Sequence, residues 1–389
     1  MTANNRIDMV DALRGFALFG LFMVHCVERF ELYWLDPRPD GWFDAVFALF
    51  SGKAFAMFAL LFGFSFATIM ANERARGGDF TLRFAWRLVL LFAIGTLHGL
   101  IYRGDILQVL AAVGLLMIPF DKVKSDRLLL VLAALLFVQL PLLARAWAAG
   151  EGLGWATAPP LFWSDTGLQT VATGSFAEAL DVNARLGWLS KWSFYLEAGR
   201  ATEIAGLFLV GMVLQRLRLF ADAGERRGVW LMVLAGGAAL WTAASLAAPL
   251  VLPTGGHAIT EFSLQEVFTR YQALGATAFQ VALFVLAWHS PLRRGLASLV
   301  PAGRMTLTLY VGQSLVFAPV FYGYGLGWWD DSTHAETVLL GVAAFAAQMA
   351  LAALWFRAFR YGPLEWLWRA GTRTSLAVPF RRVRQPSAG

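Results

Sequence analysis

Long apolar runs recur along the whole chain and constrain its fold more than any other feature. About ten of them alternate with short charged segments. They lie near residues 10–28, 42–71, 84–103, 105–120, 128–149, 196–215, 228–252, 266–288, 304–327 and 336–357. A helix that crosses a hydrocarbon core about 30 Å thick needs roughly 20 residues. The bilayer core offers no hydrogen-bond partner, so every backbone N–H and C=O group must be paired within the protein. We therefore expect an all-α, polytopic bundle of about ten transmembrane helices.

The amino-acid composition supports this interpretation. Of the 389 residues, 58% are hydrophobic and 15% are charged, whereas soluble domains are usually about 45–50% apolar and about 25% charged. The net charge of +6 comes from clusters between the apolar runs and does not indicate a nucleic-acid partner. Cys26 is the single cysteine, which excludes an internal disulfide and a cysteine metal cluster.

The charge of the connecting segments alternates along the chain. Arginine and lysine dominate segments 72–87, 121–127, 216–227 and 289–304 and the tail from Arg357 onward, while the intervening segments are neutral or acidic. The positive-inside rule then predicts that both termini are cytoplasmic. The long segment 150–195 becomes the main extracytoplasmic loop.

These patterns predict a single transmembrane domain over residues 1–372 and a basic cytoplasmic tail over residues 373–389. The first apolar run is charged at its start and has no small-residue cleavage site, so we expect a retained span. Membrane lipids are the first expected partners. In the tail, Arg381, Arg382 and Arg384 would lie against anionic headgroups, at about 1 kcal/mol for each basic residue.

The strongest candidate chemistry lies in the stretch from Phe84 to Gln108. This run is long enough to span a bilayer and contains His98, with Asp105 seven residues later. An ionisable residue within a span is costly and is therefore a functional candidate. The alternative is that His98 is a hydrogen-bonded packing residue.

Two further polar residues are expected at membrane depth. Lys53 lies about a dozen residues into the second apolar run, and Gln313 lies at a comparable depth in the ninth. A buried lysine needs a partner or a water-filled cavity, which favours a functional role for Lys53.

On the outer side, Arg200 is three residues from both Glu197 and Glu203, so it can face either carboxylate on one helix.

Basic side chains gather on the predicted inner side. Arg14, Arg87 and Arg304 are most simply topology anchors, and His25 is most simply a packing residue. HExxH, paired metal carboxylates and a phosphate-binding glycine motif are absent from the sequence, so we expect no metal site and no tightly bound cofactor.

Five motifs in order resemble the YeiB family of bacterial inner-membrane proteins. They are DALRGFA at 11–17, Lys53 with FALLFG at 58–63, IGTLHG at 94–99 with GDIL at 104–107, GRMTLTLYVGQS at 303–314, and GPLEWLWR at 362–369. The resemblance covers roughly residues 6–372. It implies a multi-pass protein of the bacterial inner membrane.

The family is distantly similar to transmembrane acyltransferases of the heparan-α-glucosaminide N-acetyltransferase group. The similarity implies transfer of an acyl group from cytoplasmic acyl-CoA to an envelope or small hydrophilic acceptor on the far side. Arg14, Arg87 and Arg304 would meet the phosphates of CoA, and His98, oriented by Asp105, would act as base. Lys53 or Gln313 would stabilise the oxyanion. That group's histidine lies in the loop after its first span, where this chain has none.

The sequence is also compatible with two other functions. A transporter or exporter of a small solute or lipid would use Lys53 and Gln313 near the midplane, although no convincing inverted repeat supports it. A non-catalytic lipid-binding membrane protein is the third reading. A homodimer is compatible with the sequence.

Overall fold

The computed structural model describes residues 7–164 and 166–382. Over these residues the chain is helical, with no β-strand, which confirms the all-α prediction. Its α-helices are α1 Asp8–Val27, α2 Gly41–Phe50, α3 Lys53–Arg74, α4 Thr81–Ile101, α5 Leu107–Met117, α6 Asp126–Phe137, α7 Leu140–Gly150, α8 Gly154–Thr157, α9 Leu168–Thr173, α10 Phe176–Val182, α11 Trp188–Glu197, α12 Arg200–Arg216, α13 Arg227–Val251, α14 Ala258–Trp288, α15 Arg293–Leu296, α16 Val300–Arg304, α17 Thr306–Phe321, α18 His334–Ala358 and α19 Pro363–Arg373.

Seven helical segments of the described chain are long and apolar enough to cross a membrane. They are Asp8–Leu35, Gly41–Arg74, Thr81–Ile101, Asp126–Gly150, Arg227–Val251, Ala258–Trp288 and His334–Ala358. The protein is therefore a multi-pass membrane protein. Each of these segments coincides with one of the ten predicted apolar runs.

The other three predicted runs also form helices, but shorter ones. They are α5 with 11 residues, α12 with 17 and α17 with 16. At about 1.5 Å per residue, α5 extends only about 16 Å. The count of ten spans and the cytoplasmic position of the termini accordingly stay predictions.

Helices α1 and α3 form the centre of the bundle. Within their apolar windows 78% and 67% of residues are buried, against 17% for α13 and 22% for α18. Glycines let the central backbones approach closely: a Cβ at Gly63 of α3 would collide with the Phe208 carbonyl of α12, and one at Gly211 would collide with the Leu60 carbonyl. Small residues at such crossings are typical of membrane helices. The outer helices present their apolar faces to lipid.

The predicted extracytoplasmic segment 150–195 folds into short helices that pack on the bundle. Helix α11 follows a π-helical turn at Asn183–Gly187. The described part of the predicted tail also packs back, since Arg382 N–H donates to the Ala358 carbonyl and Phe380 contacts Trp366. Arg384, which was expected to lie against headgroups, is outside the described residues.

Candidate functional site

His98 and Asp105 form a buried pair at the junction of α4 and α5. Nδ1 of His98 lies 2.7 Å from Oδ2 of Asp105, and both side chains are almost completely buried. The second carboxylate oxygen, Oδ1, accepts the Gln108 N–H at 3.0 Å. Nε2 of His98 is buried and has no hydrogen-bond partner among the described residues. This geometry holds the imidazole by one nitrogen and leaves the other for chemistry.

A turn, and not helical periodicity, brings the pair together. Helix α4 ends at Ile101, Tyr102 is extended, and α5 begins at Leu107. The chain therefore reverses between the two residues, and Asp105 folds back over the last turns of α4. Gly95 makes this possible, because a Cβ there would lie 2.8 Å from Asp105 Oδ1 and 2.7 Å from the Gln108 nitrogen.

Aromatic rings surround His98. The Tyr310 ring centroid lies 5.1 Å from that of His98, and Tyr102 lies 6.1 Å away. His25 joins the same cluster, with its ring 4.9 Å from Tyr102 and 6.2 Å from Tyr310. The Tyr310 hydroxyl accepts the Ile106 N–H at 3.1 Å. His25 therefore lies close to the candidate base, and its expected packing role stays a prediction.

A cavity of about 770 Å³ extends from the basic end of the bundle toward this pair. Its volume lies within the range of roughly 300–1,000 Å³ that is typical of small-molecule sites. Its basic lining residues are Arg14, Arg87, Arg218, Arg304 and Arg369, while Asp11 and Glu365 are acidic. Further in, the walls are apolar and consist largely of Phe58, Leu61, Phe62, Phe66, Leu91, Ile106, Leu107 and Leu110. Tyr310 lines the cavity and contacts the His98 ring, so the cavity ends one side chain from the candidate base.

The three predicted inner arginines all line this cavity, but they are held differently. Arg14 donates to Asp11 at 2.7 Å and to Ser65 at 2.6 Å. Arg304 contacts Asp11 at 3.3 Å and Asp8 at 2.6 Å. Arg87 instead lies over the Trp368 ring, 3.5 Å from its centroid. Asp11 thus fixes two arginines, whereas Arg87 is held by an aromatic face.

Glu365 lines the basic end of the cavity and binds the start of α17. Its carboxylate accepts the N–H groups of Leu307 and Thr308 at 2.7 and 3.1 Å and the Thr308 hydroxyl at 2.6 Å. It therefore satisfies the free N–H groups at the start of α17. Burial raises the pKa of Glu365, and the hydrogen bonds from Thr308 oppose that shift. Glu365 fixes the start of the helix that carries Tyr310.

The two predicted oxyanion donors lie at other places. The second apolar run breaks at Gly52, which has φ +77°, so Lys53 begins α3 and its ammonium donates to the Phe47 carbonyl of α2 at 3.2 Å. Gln313 donates to Gln348 of α18 at 2.9 Å. Neither belongs to the lining of the cavity. A functional role for either residue stays a prediction.

Arg200 shares α12 with Glu203 and their charges interact, but the expectation that Glu197 lies on the same helix is wrong. Glu197 ends α11, and Gly199, with φ +72°, separates it from α12. Glu197 pairs with Arg145 at 3.0 Å, and Glu203 pairs with Arg270 of α14 at 3.2 Å. The guanidinium of Arg200 instead lies 4.7 Å from the Phe194 ring centroid.

Comparisons with known proteins cover nearly the whole chain. The family described as "Protein of unknown function (DUF418)" matches residues 214–375. The family described as "Heparan-alpha-glucosaminide N-acetyltransferase, catalytic" matches residues 6–171. The uncharacterized protein YxaH of Bacillus subtilis (strain 168) is 29% identical over 399 residues, covering 96% of this chain and 95% of the relative. The uncharacterized protein YeiB of Escherichia coli (strain K12) is 27% identical over 397 residues, covering 92% and 94%.

The resemblance to the YeiB family is confirmed. An uncharacterized 39.9 kDa protein of Bacillus acidopullulyticus is also similar, with 25% identity over 385 residues, covering 95% of this chain and 94% of the relative. The five YeiB-like motifs, which are far apart in the sequence, each contribute lining residues to the one cavity: Asp11, Phe58, Ile106, Tyr310 and Trp368 are examples.

Sequence analysis of this YeiB-like chain did not single out Tyr310, Gln108 or Lys191. Tyr310 lies within a family motif, but its contact with His98 depends on how α17 packs beside α4. Lys191 lies in the aromatic stretch WLSKWSFYLE, where a single cation between four aromatic residues was the available signal. The match to an acetyltransferase catalytic family includes His98 and Asp105.

Proposed function

We propose that this protein is a transmembrane acyltransferase that uses acyl-CoA as donor and His98 as base. The observation that carries the proposal is the continuity between the arginine-lined entrance of the cavity, its apolar interior and the Tyr310 side chain that contacts His98. The match to an acetyltransferase catalytic family over residues 6–171 supports the same reaction class.

The cavity suits a ligand that is anionic at one end and apolar at the other. Five arginines against two carboxylates give its described lining a net charge of about +3, which favours phosphate groups. Arg87 is the best candidate to bind them, because it is held by the Trp368 ring, whereas Asp11 already neutralises part of the charge of Arg14 and Arg304. Arg369 lines the same end of the cavity. An acyl chain or pantetheine arm would occupy the apolar interior.

The His98–Asp105 pair supplies general base catalysis. The proton of the acceptor hydroxyl or amine moves to His98 Nε2 as its oxygen or nitrogen attacks the thioester carbonyl. The carbon–sulfur bond then breaks, and the CoA thiolate takes the proton from His98. Asp105 keeps Nδ1 protonated and fixes the ring. The Tyr310 hydroxyl is the nearest described candidate to donate to the oxyanion.

The orientation of the reaction follows from the charge pattern. The cavity entrance lies at the helix ends that flank the basic loops, including the start of α1 and the ends of α3 and α12. The positive-inside rule places this side in the cytoplasm, together with both termini. We infer that ten apolar helices, the three short ones included, form the membrane domain, and that it lies in the bacterial inner membrane.

Calorimetric binding of acetyl-CoA and of free CoA to the detergent-purified protein tests the donor site. Charge-assisted hydrogen bonds contribute about 1.5–3 kcal/mol each, so the double variant Arg87→Gln/Arg369→Gln should bind at least roughly tenfold more weakly. Arg83→Gln is the matched control, because Arg83 is exposed on α4 and outside the cavity lining. Equal binding by the double variant and the control would contradict the proposal.

Transport is the second candidate function. The observation in its favour is a buried ion network in which Arg270 contacts Glu203 at 3.2 Å and Glu266 at 3.1 Å. Buried charges in a membrane protein are costly, and for that reason they often mark a substrate or ion pathway. Counterflow of a labelled solute in proteoliposomes that is abolished by Lys53→Ala would support this alternative over acyl transfer.

A further inference from the structure

A second cavity of about 260 Å³ lies at the opposite end of α4 from the entrance of the first. Its lining comprises Thr96, Gly99, Leu100, Arg103, Gln108, Asn183, Ala184, Gly187, Trp188 and Lys191. Arg87, in the first cavity, and Gly99 are twelve residues apart on α4, or about 18 Å along its axis. The two cavities therefore lie on opposite sides of the predicted membrane region.

Two basic side chains that line the second cavity are themselves buried. Lys191 is 7% exposed and Arg103 is 5% exposed. Among its described lining residues, these two are cationic and none is acidic. The Lys191 ammonium donates to the neutral Gln108 Oε1 at 2.8 Å. The charge of Asp105 acts on Lys191 and that of Glu31 acts on Arg103. Neither carboxylate lines the cavity, so an acidic ligand there would pair directly with the Lys191 ammonium.

Two residues that line the second cavity, Gly99 and Gln108, adjoin the candidate base and its partner Asp105. Gly99 directly follows His98, and a Cβ on it would lie 3.4 Å from Gln108 Nε2 and 3.5 Å from Lys191 Nζ. Gln108 also donates its backbone N–H to Asp105. A ligand held by Lys191 therefore lies beside residues that adjoin the His98–Asp105 pair.

The surface around the cavity is apolar and belongs to a membrane-spanning helix. On α4, Leu97 is 67% exposed, and Trp188 on the facing wall is 46% exposed. Only 33% of the apolar window of α4 is buried, so this flank faces lipid. Thr96 and Leu100 lie in the last two turns of the helix, at the depth of headgroups, where tryptophan is also enriched.

The wall opposite α4 contains a local irregularity. Asn183, Ala184 and Gly187 come from the π-helical turn that precedes α11. Asn183 accepts the Arg103 Nε–H at 3.0 Å and donates to the Leu100 carbonyl at 2.9 Å. Single π-turns often occur at functional sites, and this one joins the predicted outer segment to the end of α4.

We propose that the second cavity binds the phosphate of an anionic, hydroxyl-bearing lipid headgroup, and that this lipid is the acyl acceptor. The inference rests on the proposed acyl transfer and specifies its acceptor. An ester bond forms between the acyl carbonyl and the headgroup hydroxyl oxygen, the thioester bond breaks, and the hydroxyl proton leaves on the CoA thiol by way of His98.

Reconstitution with radiolabelled acetyl-CoA tests the proposal, with phosphatidylglycerol or phosphatidylcholine as the bilayer lipid. Label should appear in phosphatidylglycerol and not in phosphatidylcholine, which has no free hydroxyl. Lys191→Gln should reduce labelling by roughly tenfold or more, and Lys191→Arg should restore part of it. Lys124→Gln, at an exposed lysine outside both cavities, is the matched control.

Native mass spectrometry of the purified variants gives a readout that needs no turnover. Phosphatidylglycerol should be retained by the Lys124→Gln protein and lost from Lys191→Gln. Glycerol phosphate added in solution serves as a competing acceptor. Its labelling in place of the lipid, or equal lipid labelling by both variants, would overturn the inference. If acetyl-CoA binds but no lipid is labelled or retained, this inference fails and the donor site stands; if acetyl-CoA does not bind, the proposed function itself fails.

Discussion

Nδ1 of His98 lies 2.7 Å from Oδ2 of Asp105, in a position where both side chains are excluded from solvent. The pair lies between the larger, arginine-lined cavity on one side and the smaller cavity lined by Lys191 and Arg103 on the other. Tyr310 lines the first cavity and Gln108 lines the second. A base in this position can serve substrates that arrive from opposite faces of a membrane.

Asp105→Asn should greatly reduce acyl transfer while leaving the protein folded. Asparagine keeps an oxygen to accept the Gln108 N–H, but it no longer holds the charge that orients and stabilises a protonated His98. General base catalysis contributes roughly 100- to 10,000-fold, so the turnover number should fall within that range with acetyl-CoA binding unchanged. Asp331→Asn, at an exposed loop position, is the control. Turnover that is insensitive to Asp105→Asn would remove the pair from the mechanism.

Tyr310→Phe tests the candidate oxyanion donor. Loss of one such donor typically lowers turnover about 100- to 1,000-fold. The change also leaves the buried Ile106 N–H without its acceptor, which should cost about 1–3 kcal/mol of stability. Turnover and thermal unfolding are therefore measured together. A variant that is less stable but retains full turnover would assign Tyr310 a purely structural role.

Lys191 should give acceptor use a characteristic pH dependence. Burial lowers the pKa of Lys191 to about 8, with the charge of Asp105 acting in the opposite direction. Arg103 on the same cavity wall, His98 next to Gly99, and Tyr195 one turn along α11 are further titratable or charged groups near it. Below this pKa the ammonium attracts an anionic headgroup; above it the neutral amine does not. We expect kcat/KM for phosphatidylglycerol to fall as pH rises through about 8.

Lys191→Arg is the control for that profile, because arginine stays protonated throughout this range. Its kcat/KM should not decline through the same pH interval. The folded-state pKa lies below the value of 10.5 for an exposed lysine, so burial of the charge costs stability at neutral pH, and this cost should disappear between about pH 8 and 10.5. The same decline in the arginine variant would assign the titration to another group.

Adjacent glycines on α13 allow a matched test of helix packing. A Cβ at Gly237 would lie 2.6 Å from the Phe279 nitrogen and 2.7 Å from the Gly275 carbonyl oxygen of α14, whereas a Cβ at Gly236 meets nothing within 4 Å. Gly237→Ala should therefore destabilise the protein by about 1–3 kcal/mol. Gly236→Ala should be neutral or slightly stabilising. Equal melting temperatures for the two variants would show that this crossing tolerates separation.

Single-cysteine labelling tests the predicted orientation. Cys26 is buried and should not react, so Thr254→Cys and Ser298→Cys place reactive thiols on exposed residues of consecutive inter-helix segments. In intact cells, a membrane-impermeant maleimide should label position 254 and spare position 298 until the membrane is opened. The reverse pattern would place the donor cavity outside the cytoplasm.

Some of the candidate site was predictable from sequence. His98 and Asp105 stood out because an ionisable residue in an apolar run is costly, and Arg14, Arg87 and Arg304 because basic residues mark one side of the membrane. Their separation into two environments was not predictable. It depends on Asp11, which binds two of the arginines, and on Trp368, which packs against the third.

The apolar runs by themselves determined that this is an all-α, multi-pass membrane protein, because a bilayer requires long stretches of internally hydrogen-bonded helix. Tertiary structure decided which polar residues meet. Lys53 follows a glycine break and bonds to the end of α2, while Lys191, from a segment expected to be a loop, donates to Gln108 beside the His98–Asp105 pair. Hydropathy records how deep a residue lies along one helix; contacts between residues nearly a hundred positions apart depend on helix rotation, breaks and close crossings.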